Sequence, residues 1–582
     1  MDPSSSSEAS SRTKKLGSHS LLRGPDHTPT PKSILSFQKD AVVTANSYPI
    51  YIQLGCGGNR TFRSHAYAHA RALTLRTKWI KTVKGGVSGL TRRILRDAFL
   101  GEKSVAIAGV GIPPTGSEEV IMVKIFFAAI IGDEEALNAM CFSKGAGGIV
   151  PCISCHAVNK PLETDNARGI KPLSERDAAI VDISCPDISL VGLRSDEDIW
   201  EICDELEKAS GYPNQKVLKE LEHVTGIKFD LYTLLYDKEL RRFIGPASSV
   251  TSDPLHILFS NGLLGAEMML FMDFLKTEYP HGPKGKDPYF IELRSFAEDW
   301  HPKVLIFNES REKSSTTTLK AGASELLSGY PLMRRFILDF FGADAQELQV
   351  RSILLLFQIC DDFRLLNKHL PDAERDVVRN HLRTLVREYL VAFKAAHGVE
   401  HMRFKHHQLL HWVEQHPQLS CFCMERKHIT AKQCMVNTTK FQHIAKGSLC
   451  RMMNHQVRLL ENPGWGSRLG QSTQEFPQMA ASLGAANVLI SSGMLWEGIS
   501  LKYRDIVFLD PAKTYLIIIV ACLGIDDKFG LVVRSCQHIS GRHSDSIWQV
   551  APELSIIRLV GENVFPVAFW KYLSSDHIEV LH

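Results

Sequence analysis

Along this chain the spacing of apolar residues changes character several times, and each change marks a different kind of element. Between about 65 and 97, Leu73, Leu75, Trp79, Ile80, Val83, Leu90, Ile94 and Leu95 recur at intervals that predict helical segments, broken at Gly85-Gly86. The period then shortens. Glu119 to Ile131 is a near-continuous apolar, β-branched run of strand type that closes on Gly132-Asp133. Glu134 to Cys141 reads as helix again, so the strand delivers an acid at its C-terminal end.

From about 194 to 400 the helical period dominates, over Asp196 to Ala209, Gln215 to Val224, Pro254 to Lys276, Ala321 to Phe341, Leu348 to Asn367 and Pro371 to His397. Asp372, Glu374 and Asp376 open the last of these, where the helix dipole favours acids. Met402 to Trp412 and Lys440 to Glu461 read as further helices. A Gly/Ser/Pro-rich linker near 462 to 471 precedes a final region of short apolar runs: Asp505 to Leu509, Tyr515 to Leu523, Gly530 to Val533 and Ile556 to Leu559. Asp, Gly and Pro separate them, which predicts a small β-rich domain over 490–582. Residues 1–35, rich in Ser, Pro, Thr and Gly, read as a disordered arm.

Composition changes this picture in two places. A chain of 582 residues with 44% hydrophobic and 23% charged residues reads as soluble and globular, large enough for several cores. Its 13 cysteines therefore need not form a disulfide framework, and with no apolar stretch of signal-peptide length near the start, thiols in a reducing compartment are expected. Tyr515 to Ile525, the longest apolar run, is far short of the roughly 20 residues of a bilayer span, so no membrane partner is expected.

Net charge is only +3, but its distribution is uneven. Ala41 to Arg96 holds no Asp or Glu, while Arg60, Arg63, Arg71, Arg76, Lys78, Lys81, Lys84, Arg92, Arg93 and Arg96 fall there. Such a stretch suits a phosphate backbone, whose affinity comes from cations displacing counterions. The bland alternative is a solvated basic face.

Three constellations carry candidate chemistry. Cys152-Ile-Ser-Cys155-His156 offers two thiolates whose spacing suits one tetrahedral zinc ion. The alternatives are two free thiols in a turn, or haem attachment to a CxxCH string. A pair is half a site, and the richest supply of further ligands is His401, His406, His407 and His411; His407 with His411, or His406 with His411, lie four or five apart on a helical stretch. Next, Asp253-Pro-Leu-His256 opens an apolar helix, with Asp253 as N-cap and Pro254 at the first position. His256 beside that acid suits a metal-proximal or phosphate-contacting role, or that of a satisfied core histidine. Last, Glu425, His428 and Lys432 stand three and four apart behind Cys421-Phe-Cys423, either a cation-flanked acid or a solvated face.

Taken in order, the blocks at 132–156 (GDEEALNAMCFSKGAGGIVPCISCH), 253–268 (DPLHILFSNGLLGAEM), 405–411 (KHHQLLH) and 421–432 (CFCMERKHITAK) resemble the DDE transposases of the CACTA and Kyakuja-Dileera-Zisupton type. More distantly they are similar to the catalytic subunit of the V(D)J recombinase. The resemblance covers roughly 75 to 460 and implies an α/β fold. Its form is an RNase H-like mixed sheet over 36–160 and 401–465, interrupted by a large all-helical insertion over 161–400.

The resemblance also implies roles. Asp133 and Glu425 become the second and third catalytic carboxylates, gripping two Mg²⁺ or Mn²⁺ ions for in-line displacement at phosphorus. Cys152 and Cys155, with His406 or His407 and His411, become ligands of a structural zinc. Asp253, His256, Lys427 and Lys432 stand at the DNA. The first acid belongs on an earlier strand, and the carboxylate-free window leaves Asp26, Asp40 and Asp97; Asp40 takes the assignment because Asp26 sits in the arm and Asp97 in a predicted helix. The expected function is that of a transposase-like, nuclear DNA-binding protein that cleaves and transfers strands if the triad is complete. The alternative is a catalytically inactive, transposon-derived, zinc-stabilised DNA binder; self-association stays open.

Overall fold

The computed structural model of the chain describes residues 47–53, 70–76, 82–102, 104, 106–112, 121–123, 127, 129–160, 181–281, 289–300, 318–319, 321–342, 345–366, 372–415, 468–469, 488–496, 499–509, 515–525, 528–542, 545–559, 565–566, 569–572 and 576–581. It is a mixed α/β structure with a β-rich C-terminal region.

Strands β1 (Ser47–Gln53) and β2 (Ala70–Arg76) pair antiparallel, with Ile50 opposite Leu73. This corrects the helix expected from about 65: Leu73 and Leu75 stand two apart, which is a strand period. Helix α1 (Gly86–Phe99) starts after Gly85, whose φ of 76° and close approach to the Tyr232 carbonyl exclude a side chain; a Cβ there would stand 2.8 Å from that oxygen. Ser88, Thr91, Leu95 and Phe99 form its buried face.

The apolar run 119–131 also divides. Strand β3 (Val110–Ile112) pairs antiparallel with β4 (Ile121–Val123), whereas β5 (Ile130–Gly132) belongs to a different sheet. A uniformly apolar run carries no turn signal, so periodicity alone does not show where one strand stops. Helix α2 (Glu134–Met140) follows β5 directly. Helices α3 (Asp196–Ser210) and α4 (Gln215–Thr225) come next, α3 opened by a Ser195/Asp198 capping box. Strand β6 (Val250–Ser252) then returns to lie parallel to β5, with Gly132 opposite Ser252.

The helix expected over Pro254 to Lys276 is two helices, α5 (Pro254–Leu258) and α6 (Leu263–Glu278). Asn261, at φ 49°, turns the chain between them, in the left-handed region that Asn tolerates better than most residues. Helices α7 (Tyr289–Trp300), α8 (Ala323–Phe341), α9 (Leu348–Leu366), α10 (Asp372–His397) and α11 (Phe404–Glu414) follow. One continuous core runs from Leu255 to Val413, so the boundary expected at 400 falls inside a packed unit. The 254–278 stretch is apolar and long enough to cross a bilayer by composition, yet 78% of its most apolar window is buried in this core.

This core encloses Glu267 and His397 near one another. Glu267 of α6 is fully buried and accepts from Ser352 Oγ of α9 at 2.5 Å, and His397 Nε2 of α10 stands 3.9 Å from Glu267 Oε1. Burial pushes the carboxyl up to about 7 and pulls the imidazole down to about 4. Glu267 alone makes stability fall as pH rises from about 4.5 to about 7, because the folded state keeps a proton that the unfolded chain releases. His397 works the other way between about 4 and 6.5, and the two offset. Glu267→Gln removes the first contribution, so from pH 4 to 6.5 the unfolding stability of that variant in urea should rise relative to the parent by about 2 kcal/mol. Parallel profiles for the two proteins would count against a raised Glu267 carboxyl.

Among the described residues, the C-terminal region forms a nine-stranded antiparallel sheet and a three-stranded one. The three-stranded sheet consists of β7 (Arg468–Leu469), β9 (Gly493–Trp496) and β10 (Ile499–Lys502), and β8 (Val488–Ser491) joins the larger sheet. Strands β11 (Ile506–Phe508), β12 (Leu516–Ile525), β13 (Lys528–Arg542), β14 (Asp545–Val550), β15 (Ser555–Arg558), β16 (Phe565–Pro566), β17 (Phe569–Tyr572) and β18 (His577–Leu581) complete it. In β12, Ile517 and Ile519 pack into one core while Leu516 and Ile518 pack into another. Burial on both faces explains why that strand reads as an unbroken apolar run.

Candidate metal centre

The loop that follows α2 carries Cys152 and Cys155 and is bonded along one side to residues 192–194. Cys155 bridges Leu193, His156 N donates to Gly192 O at 2.8 Å, and Arg194 N donates to Ser154 O at 3.0 Å. The buried Arg194 guanidinium also donates to Cys152 O at 3.2 Å and Thr225 O at 3.0 Å. Sequence reasoning passed over Arg194, because no local pattern ties it to a loop some forty residues earlier.

Helix α11 brings the partners. Cys152, Cys155, His407 and His411 are all buried, and their ligand atoms lie within 4.8 Å of one another. Cys155 Sγ stands 3.1 Å from His407 Nε2, and His407 Nε2 stands 3.1 Å from His411 Nε2. Zinc bonds of about 2.0–2.3 Å put tetrahedral ligands a little over 3 Å apart, so two soft thiolates and two imidazoles at these separations fit such an ion. The Cys152 thiol is held well below its ordinary value, first by the Cys155 thiol donating to it and then with help from His411 and His407. Cys155 is pushed up by burial and by that neighbour. Burial also lowers His407, favouring the neutral imidazole that binds metal.

His406 is a correction to the expected ligand set. Its Nδ1 accepts from Arg403 N at 2.8 Å, and its ring packs 4.3 Å from Phe393 in the helical core. On a helix, a step of four residues returns to within about 40° of the starting face, whereas a step of five overshoots by about 140°, so His407 and not His406 shares a face with His411.

Asp133 and Asp253 leave adjacent parallel strands at the same end, Asp253 N donating to Gly132 O at 2.9 Å. Asp133 caps α2, accepting from Ala136 N at 2.6 Å. Asp253 holds the N-cap position of α5 as expected, but its carboxylate makes no cap bond; fully buried, it accepts from His256 Nδ1 at 2.5 Å instead. Glu134 is raised by burial, against the pull of Lys405. Lys405 itself was not singled out in sequence, since a lysine two residues before a histidine ligand carries no signal.

The basic stretch divides too. Arg92 Nε donates to Asp237 Oδ2 at 2.6 Å, and Arg96 Nη1 reaches both Asp237 oxygens at 2.9 and 2.8 Å. Burial opposes the Asp237 charge, yet Arg96 and Arg92 together hold the carboxyl below its usual range. The expectation that these two arginines stand free for phosphate is therefore corrected: a buried acid distant in sequence engages both. Lys84 lies over the Tyr232 ring, 4.6 Å from its centroid, and Arg93 is exposed with Asp97 at 3.7 Å. Arg71 and Arg76 lie on β2. Asp40, Arg60, Arg63, Lys78, Lys81, Glu425, Lys427 and Lys432 lie outside the described residues, as do the helix expected over 440–461 and the arm.

No protein-family model matches the chain, and no curated protein matches it.

Proposed function

We propose that this chain is a transposase-like DNA-binding protein with an RNase H-like core, stapled by a structural zinc ion. The observation that carries the reading is the meeting of a CxxC loop, placed shortly after an acid at a strand's end, with two helix-borne histidines some 250 residues later. Zinc would be held by Cys152, Cys155, His407 and His411; four protein ligands leave no open position, so its part is structural. Asp133 is the acid proposed to hold a catalytic Mg²⁺ or Mn²⁺ ion, with Glu425 and Asp40 completing the triad. The helical segments before and after β6 are read as inserted into that core, β6 itself pairing with the strand that ends at Asp133.

Arg60, Arg63, Arg71, Arg76, Lys78, Lys81 and Arg93 remain as the proposed phosphate contacts. If they act together, raising salt from about 50 to 200 mM should weaken binding to a duplex by roughly several thousandfold. Salt-insensitive or absent binding overturns the DNA reading. The same duplex, end-labelled and supplied with Mg²⁺ or Mn²⁺, separates the two versions of this function. Cleavage abolished by Asp133→Ala and by Glu425→Ala marks an active enzyme, a reading favoured by the placement of Asp133 at a parallel strand's C-terminal end. Salt-dependent binding with no cleavage marks the inactive descendant.

A further inference from the structure

Lys405 sits on α11 two residues before His407, and its ammonium reaches away from the metal cluster to a different element. It donates to the carbonyls of His256 at 2.8 Å, Ser260 at 3.1 Å and Asn261 at 2.9 Å. Those oxygens belong to the last part of α5 and the turn that ends it, where helix carbonyls lack intrahelical donors. A cation is the favoured partner at such an end. The same ammonium lies in the field of Glu134, Asp133 and Asp253.

One helix therefore carries two metal ligands and the cation that fastens the acid-bearing segment. α5 begins directly after Asp253, and its short length leaves few bonds of its own to hold it. We propose that Lys405 is a positioning residue that transmits the order of the metal centre to the strand end bearing Asp253 and His256, so that metal occupancy governs the geometry beside Asp133. This rests on the zinc reading given above only for its metal arm.

Hydrogen exchange of the full chain, read by mass spectrometry over 250–262, 404–414 and, as an internal control, 516–542, tests the link. Treating the parent with a zinc chelator should loosen 404–414 and 250–262 together, the latter losing about tenfold or more of its protection. Lys405→Met, with zinc content unchanged, should loosen 250–262 alone, and Lys405→Arg should restore it by keeping charge and donors. Chelation that loosens 404–414 but spares 250–262 overturns the proposal without reliance on any variant. So does parent-like protection in Lys405→Met. Chelation that strips the metal, as zinc content shows, yet changes nothing anywhere also overturns the link to metal occupancy; protein that carries no zinc before chelation removes the zinc reading instead.

Discussion

Cys155→Ser is expected to reduce bound zinc from about one ion per chain to a small fraction, and to lower the thermal midpoint by about 10 °C or more. The size follows from what the ion joins. Without it, two thiols and two imidazoles stay buried at hydrogen-bond distance with their charges and donors poorly matched, while the loop around Cys152 still has hydrogen bonds from Arg194 and from Gln415 at the end of α11. Elemental analysis and a melting curve on parent and variant check both parts. Full zinc content in the variant would show that Cys155 is not a ligand, and an unchanged midpoint would show that the ion carries little of the fold.

Trp412→Ala should cost about 3–5 kcal/mol in equilibrium urea unfolding, while leaving zinc content unchanged. Trp412 lies one residue beyond His411, about 100° further round the helix, fully buried, with its ring 5.9 Å from Phe363 of α9. Leu409, Leu410 and Val413 join the same core, so α11 is plugged into the helical unit on one side and into the metal cluster on the other. Truncating the ring leaves a cavity that neighbouring aromatic side chains cannot close. A loss below about 1 kcal/mol would mean that the two sides of α11 are less firmly joined than the packing indicates.

Much of the helical architecture was legible before any coordinates. The helices over 196–210, 215–225, 348–366 and 372–397 start and stop within a residue or two of where apolar spacing places them. Those signals are local, and local chemistry decides them: Ser195 and Asp198 cap α3 whatever lies elsewhere in the chain. The metal centre was half legible, since CxxC announces a shared ligand geometry while its histidine partners had to be chosen among four. Helix phase makes that choice, and it picks His407 over His406.

What escaped the sequence depends on partners far along the chain. Arg92 and Arg96 look like free cations until Asp237 is brought beneath them, and no spacing rule connects positions some 140 apart. β2 hid behind leucines that also fit a helix, because seven residues offer too few turns to separate the two periods. The break at Asn261 was likewise masked by apolar residues on both sides.

The central claim is that two cysteines and two histidines some 250 residues apart in the chain share one ion. Zinc K-edge absorption on the purified full chain reads that shell directly. Two sulfur neighbours at about 2.3 Å and two nitrogen neighbours at about 2.0–2.1 Å, at one zinc per chain, are the expected result. A shell without sulfur, a shell of four sulfurs, or protein that retains no stoichiometric metal would contradict it.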